Sequence, residues 1–150
     1  MANKAVVYIC AHQDDIYSTS GTLMLLRKKG YEVHDWCMTL GQKGGKLPNL
    51  VEVRKKEEAA ACEIIGAKLR FFDQMDGELY AGRELCETVA DGLKEVDPEV
   101  VITMWPFEKP DHAAAYRENE WQVYLVTGTV GDWTWRSRVR NLAELGKALN

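Results

Sequence analysis

The sequence lacks several features that would each signal a function. No stretch longer than 11 residues is free of Asp, Glu, Lys and Arg, and Ile16 to Leu26 is one such run. A membrane-spanning helix needs about 20 apolar residues, so none is expected. Positive charge is not in excess: 19 Lys and Arg stand against 23 Asp and Glu, a net charge of −4. Such a surface gives no electrostatic reason to bind nucleic acid or an anionic membrane. Met1 to Lys4 leads straight into a strand-like run, so no secretory leader is expected and the chain reads as cytoplasmic. Cys10, Cys37, Cys62 and Cys86 include no CxxC pair. They read as buried reduced thiols rather than as a four-cysteine zinc site. No GxGxxG follows the first strand-like run and no GxxxxGK[ST] occurs, so a nucleotide-binding module without metal has only weak support. Internal repeats and low-complexity tracts are absent as well.

What is present is ordinary globular material. The 150 residues are 46% apolar and 28% charged, which suits one domain and argues against disorder. Ala5 to Ala11 is a β-branched apolar run that reads as a strand covered on both faces. Thr19 or Ser20 is a candidate cap for a helix ending near Gly30. Tyr31 to Leu40 reads as a second strand and Gly41 to Leu50 as a loop. Glu52 to Ile65 has helix composition with Gly66 as its stop, and Lys68 to Asp73 is a short third strand. Gly82 to Val96 is a helix ended by Asp97-Pro98, and Glu99 to Trp105 a fourth strand. The alternation implies an α/β fold, a Rossmann-like three-layer sandwich with a mostly parallel sheet.

In such sheets ligands bind beyond the carboxyl ends of the strands. The segments expected there carry two of the three histidines, His12 and His112, and five aspartates, Asp14, Asp15, Asp73, Asp76 and Asp111. His12 and Asp15 are three residues apart in a turn leaving a strand, and His112 lies on another strand's exit. Imidazole, carboxylate and imidazole suit Zn²⁺ and leave a position open for catalysis, although the same set is also a non-haem iron pattern, so Fe²⁺ stays open. Asp14 would then stand beside the ligands as a base. A bland reading competes: paired carboxylates after a strand commonly cap a helix, and a lone histidine there is usually structural. His34, alternating with Val33 and Trp36, reads as structural.

At these residues the chain resembles the PIG-L/LmbE-like family of zinc-dependent de-N-acetylases. The family's A-H-P-D-D-E corresponds to Ala11-His12-Gln13-Asp14-Asp15-Ile16. Its glycine-containing helix start is matched by Ser20-Gly21-Thr22-Leu23, and its L-T-x-G-x-x-G by Met38 to Gly45. Arg54, Glu57, Ala61 and Ile65-Gly66 follow its R-x-x-E-x-x-x-A-x-x-x-L-G helix. Asp76-Gly77 matches a D-G pair, and Lys109-Pro110-Asp111-His112 its H-P-D-H. The resemblance implies His12, Asp15 and His112 as metal ligands and Asp14 as general base. It puts Arg54 near the acyl group or the acidic base, against a surface pairing with Glu57 or Glu58. The reaction implied is amide hydrolysis of an N-acetylglucosamine-type or related acylated amine, giving acetate and a free amine.

Four departures stand out. Gln13 replaces Pro, Ile16 replaces Glu, and Lys109 replaces the first His of H-P-D-H. Lys109 still offers positive charge to an oxyanion, or it is a solvated surface lysine. Only 38 residues follow His112, fewer than in most of the family. Trp133, Trp135 and the arginines near them read as helix packing or a subunit interface, and a homo-oligomer is expected to complete the cleft. These departures motivate a second reading, a catalytically degenerate binding or assembly protein on the same fold.

Overall fold

Continuous runs of β-branched and aromatic residues become the interior strands of one sheet, because both faces of such a strand can be buried. The computed structural model describes residues 3–79, 83–103 and 124–126. Within them β1 is Asn3–Cys10, β2 Glu32–Thr39, β3 Ala67–Gln74, β4 Pro98–Thr103 and β5 Tyr124–Val126. The helices are α1 Ile16–Lys28, α2 Leu50–Ile65 and α3 Arg83–Val96. The sheet order is β3-β2-β1-β4-β5, parallel through its first four strands, with β5 antiparallel to β4.

Period-2 alternation sorts the strand residues between two faces. Val6, Tyr8, Cys10, Val33 and Cys37 pack against Ile16, Leu23 and Leu26 of α1 and Cys62 and Ile65 of α2. Val7, Trp36, Met38 and Phe72 meet Leu93 of α3 on the opposite face. The expected three-layer α/β sandwich is therefore the observed one.

Two local expectations need correction. Helix α1 begins at Ile16, straight after a 3₁₀ turn over Gln13–Asp15, so Thr19 and Ser20 lie inside it. Their hydroxyls donate back to the carbonyls of Ile16 and Tyr17 instead of capping amides. Cys86 is exposed on α3, whereas Cys10, Cys37 and Cys62 are buried, and all four are unpaired. The segment 104–123, which holds Lys109 and His112, and residues 127–150, with Trp133 and Trp135, lie outside the described residues.

The strand order creates a functional position. The chain runs outward from β1 to β2 and β3, then returns to β4 on the other side of β1. The crevice at such a reversal, beyond the carboxyl ends, is where open α/β sheets bind ligands. Ile9 pairs with Thr103 there, so the end of β4 lies beside the turn that carries His12.

Candidate active site at the carboxyl end of the sheet

The turn after β1 is built by Asp15. Its Oδ2 accepts the backbone N–H of Ala11 at 3.1 Å and of His12 at 2.9 Å. The Tyr8 hydroxyl donates to the Asp15 carbonyl at 3.0 Å. These contacts leave His12 in an extended conformation before the 3₁₀ turn. Burial raises the Asp15 carboxyl above the usual range, and the His12 amide and ring oppose this.

His12 is held from two sides. Its Nδ1 lies 3.8 Å from Asp15 Oδ2, and its Nε2 lies 2.9 Å from Asp76 Oδ1. Asp76 follows β3 and precedes Gly77, which takes φ 76° and so turns the chain where other residues would be strained. The second Asp76 oxygen accepts the Lys43 backbone N–H at 3.1 Å, and the Asp76 N–H donates to Gln42 Oε1 at 2.9 Å. The exits of β1, β2 and β3 are thereby tied at one point. Burial pushes the Asp76 carboxyl upward, but the His12 ring, the Lys43 amide and the Arg54 charge outweigh it and hold the pKa low.

Asp14, on the same turn, is exposed, and its Oδ1 lies 2.5 Å from Arg54 Nη2. Arg54 comes from the first turns of α2 and meets Asp14 rather than its helix neighbours Glu57 or Glu58. The glycine loop after β2 closes over that guanidinium. A Cβ on Gly41 would stand 2.5 Å from Gln13 Oε1 and 2.7 Å from Arg54 Nη1, and one on Gly44 would collide with Arg54 Nη1. The glycine loop is thus a seat for an arginine.

Sequence reasoning put His12, Asp14, Asp15 and Arg54 at this rim, and the structure brings all four together. It also brings in Asp76 as the partner of His12, a contact the D-G pair alone did not reveal. Lys109 and His112 lie outside the described residues. His34 is buried with its Nε2 2.6 Å from Glu32 Oε1.

Two of the rim donors stand at a spacing that a divalent cation can bridge. Two metal–ligand bonds of about 2.0–2.2 Å can bridge donors up to roughly 4.2 Å apart, and Nδ1 of His12 and the Asp15 carboxylate fall within that reach. A carboxylate on the other ring nitrogen, here Asp76, is the arrangement that orients metal-binding histidines.

Comparison with known proteins fixes the family. The family model described as PIG-L: GlcNAc-PI de-N-acetylase matches residues 7–120. The chain belongs to the PIG-L family. It is 36% identical to a probable N-acetyl-alpha-D-glucosaminyl L-malate deacetylase 2 of Bacillus cereus, over 74% of this chain and 57% of that protein. It is 29% identical to a 4-oxalmesaconate hydratase of Pseudomonas putida, over 67% of this chain and 43% of that protein. The solved N,N'-diacetylchitobiose deacetylase of Pyrococcus horikoshii superposes with a TM-score of 0.62 at 30% identity, covering 65% of this chain and 39% of that one. This PIG-L chain spans about half the length of the curated relatives it matches. Deacetylases among the relatives support hydrolase activity in general terms. Among the described residues no helix is long and apolar enough to cross a membrane.

Proposed function

We propose that this PIG-L chain is a metal-dependent de-N-acetylase that removes an acetyl or related acyl group from the amine of an N-acetylglucosamine-type conjugate. The observation that carries the reading is the double hold on His12, with Asp15 on one side and Asp76 on the other, and an exposed Asp14, paired with Arg54, on the same turn. The similarity to deacetylases supports it from outside the structure.

His12 and Asp15, joined by His112, would hold the cation, and the donor set suits Zn²⁺. When bound, such a cation polarises a carbonyl and lowers the pKa of water from about 15.7 toward 7. Asp14 takes the proton from the attacking water at its carboxylate and returns it to the departing amine. Arg54 orients Asp14 through their ion pair and adds positive charge next to the base. Asp76 fixes the ring and tautomer of His12. Lys109 offers positive charge to the developing oxyanion.

The relative that is a hydratase supports a second reading, addition of water to an unsaturated acid by the same rim. The test is zinc-loaded protein incubated with a panel of N-acetylated amino sugars and, separately, with 4-oxalmesaconate. Acetate release supports the deacetylase. Hydration without acetate release replaces it with the second reading, and neither product leaves a binding protein on this fold.

A further inference from the structure

Beneath the rim, between β1, β2 and α2, lies a cluster of charged and thiol groups that the proposed reaction does not use. One ligand atom each from Cys10, Asp35 and Glu58 lies within 4.8 Å of the others. Asp35 is fully buried, and Cys10, Glu58 and Cys62 are each at most 2% exposed. Cys10 Sγ is 3.8 Å from Asp35 Oδ1, and Cys62 Sγ is 3.4 Å from Asp35 Oδ2. Among the described residues no Lys, Arg or His pairs with either carboxylate, and Glu58 Oε1 has no hydrogen-bond partner at all.

A core normally neutralises or pairs such groups. One feature of the set points to a ligand. One carboxylate oxygen is orphaned although its residue is almost wholly buried. Cys10 and Cys62 donate their S–H groups to different oxygens of Asp35, at 3.8 and 3.4 Å, so both sulfurs face that carboxylate. We propose that Cys10, Asp35 and Glu58, with Cys62 as the nearest fourth donor, form a buried site for a borderline divalent cation of the zinc class, separate from the rim. Thiolate and carboxylate together suit such an ion, and a closed set of protein donors is the mark of a structural rather than a catalytic site. An ion sealed at this depth enters as the fold closes and adds to folding stability.

Cobalt substitution tests this without any variant. The rim candidates His12, Asp15 and His112 include no thiol, so thiolate-to-cobalt charge-transfer absorption does not come from the rim, and a Cys86→Ser background removes the exposed thiol as a source. The expected result is that band in the parent protein and in His12→Ala. It is lost in Cys10→Ser and in Glu58→Gln, each with one metal equivalent fewer than the parent. A native chelator wash should leave the core equivalent in place until the chain is unfolded. Cobalt-loaded parent with no charge-transfer band, or metal content unchanged in both Cys10→Ser and Glu58→Gln, overturns the proposal and leaves a proton-sharing carboxyl pair in its place. Neither outcome depends on whether the rim deacetylates anything.

Discussion

Nη2 of Arg54 and Oδ1 of Asp14 are 2.5 Å apart, which links the start of α2 to the turn leaving β1. Arg54 is mostly covered by the glycine loop while Asp14 faces solvent, so the pair holds an exposed carboxylate from a buried anchor. This geometry suits a base that must point at a substrate yet keep one orientation.

Asp14→Asn is therefore expected to lower kcat by about 10²–10⁴-fold, the usual contribution of a general base, with rim metal content unchanged. Arg54→Ala should lower kcat by a smaller factor while leaving the metal in place. Steady-state kinetics with metal analysis on each variant checks both.

Gly41→Ala puts a Cβ on a residue at φ 64°, 2.5 Å from Gln13 Oε1 and 2.7 Å from Arg54 Nη1. The left-handed backbone alone costs about 1–2 kcal/mol for a residue with a side chain. Denaturant unfolding should show at least that loss, and displacement of Arg54 should reduce activity further.

Asp76→Ala removes the carboxylate from His12 Nε2. Loss of such an outer partner typically weakens metal binding by about 10–100-fold. A competition titration with a chelating dye measures it, and unchanged affinity would argue that His12 is oriented by Asp15 alone.

The buried carboxyl pair makes a pH prediction. Burial and then the neighbouring Asp35 push the Glu58 pKa up to about 10, and burial likewise raises Asp35. An unfolded glutamate titrates near about 4.3. The folded chain thus keeps a proton that the unfolded chain releases. The stabilisation is full below the unfolded value and is lost as pH rises toward the folded one. Protein unfolded and refolded in chelator, and so free of core metal, should melt at falling temperatures from about pH 5 to pH 10, and Glu58→Gln should flatten that slope. A cation in the core takes the place of the proton, so metal-loaded protein should show a weaker slope.

The layers and the succession of elements were legible because β-branched runs, Gly30, Gly66 and Asp97-Pro98 mark the elements without tertiary help. The rim residues His12, Asp14 and Asp15 were legible as candidates because they stand at a strand exit, where open α/β sheets bind ligands, and because the family motif covers them. The start of α1 was not: Thr19 and Ser20 look like caps, and only the Asp15 contacts to Ala11 and His12 move the helix start upstream. The Asp35–Glu58 cluster was hidden for a different reason. Glu58 sits in a Lys-Lys-Glu-Glu run that reads as a solvated helix face, and Asp35 in a mostly apolar strand. The signal lay in spacing: Arg54, Glu58, Cys62 and Ile65 follow the inner stripe of α2, and Asp35 shares a strand face with Val33 and Cys37.

The most direct measurement is acetate release from an N-acetylglucosaminyl conjugate by zinc-loaded protein, run beside Asp14→Asn and His12→Ala preparations of known metal content. The expected result is turnover in the parent, near-complete loss in Asp14→Asn at equal metal content, and loss in His12→Ala together with one metal equivalent. Acetate release undiminished in His12→Ala, or none from a fully metal-loaded parent across the panel, would contradict a hydrolytic centre built on this turn.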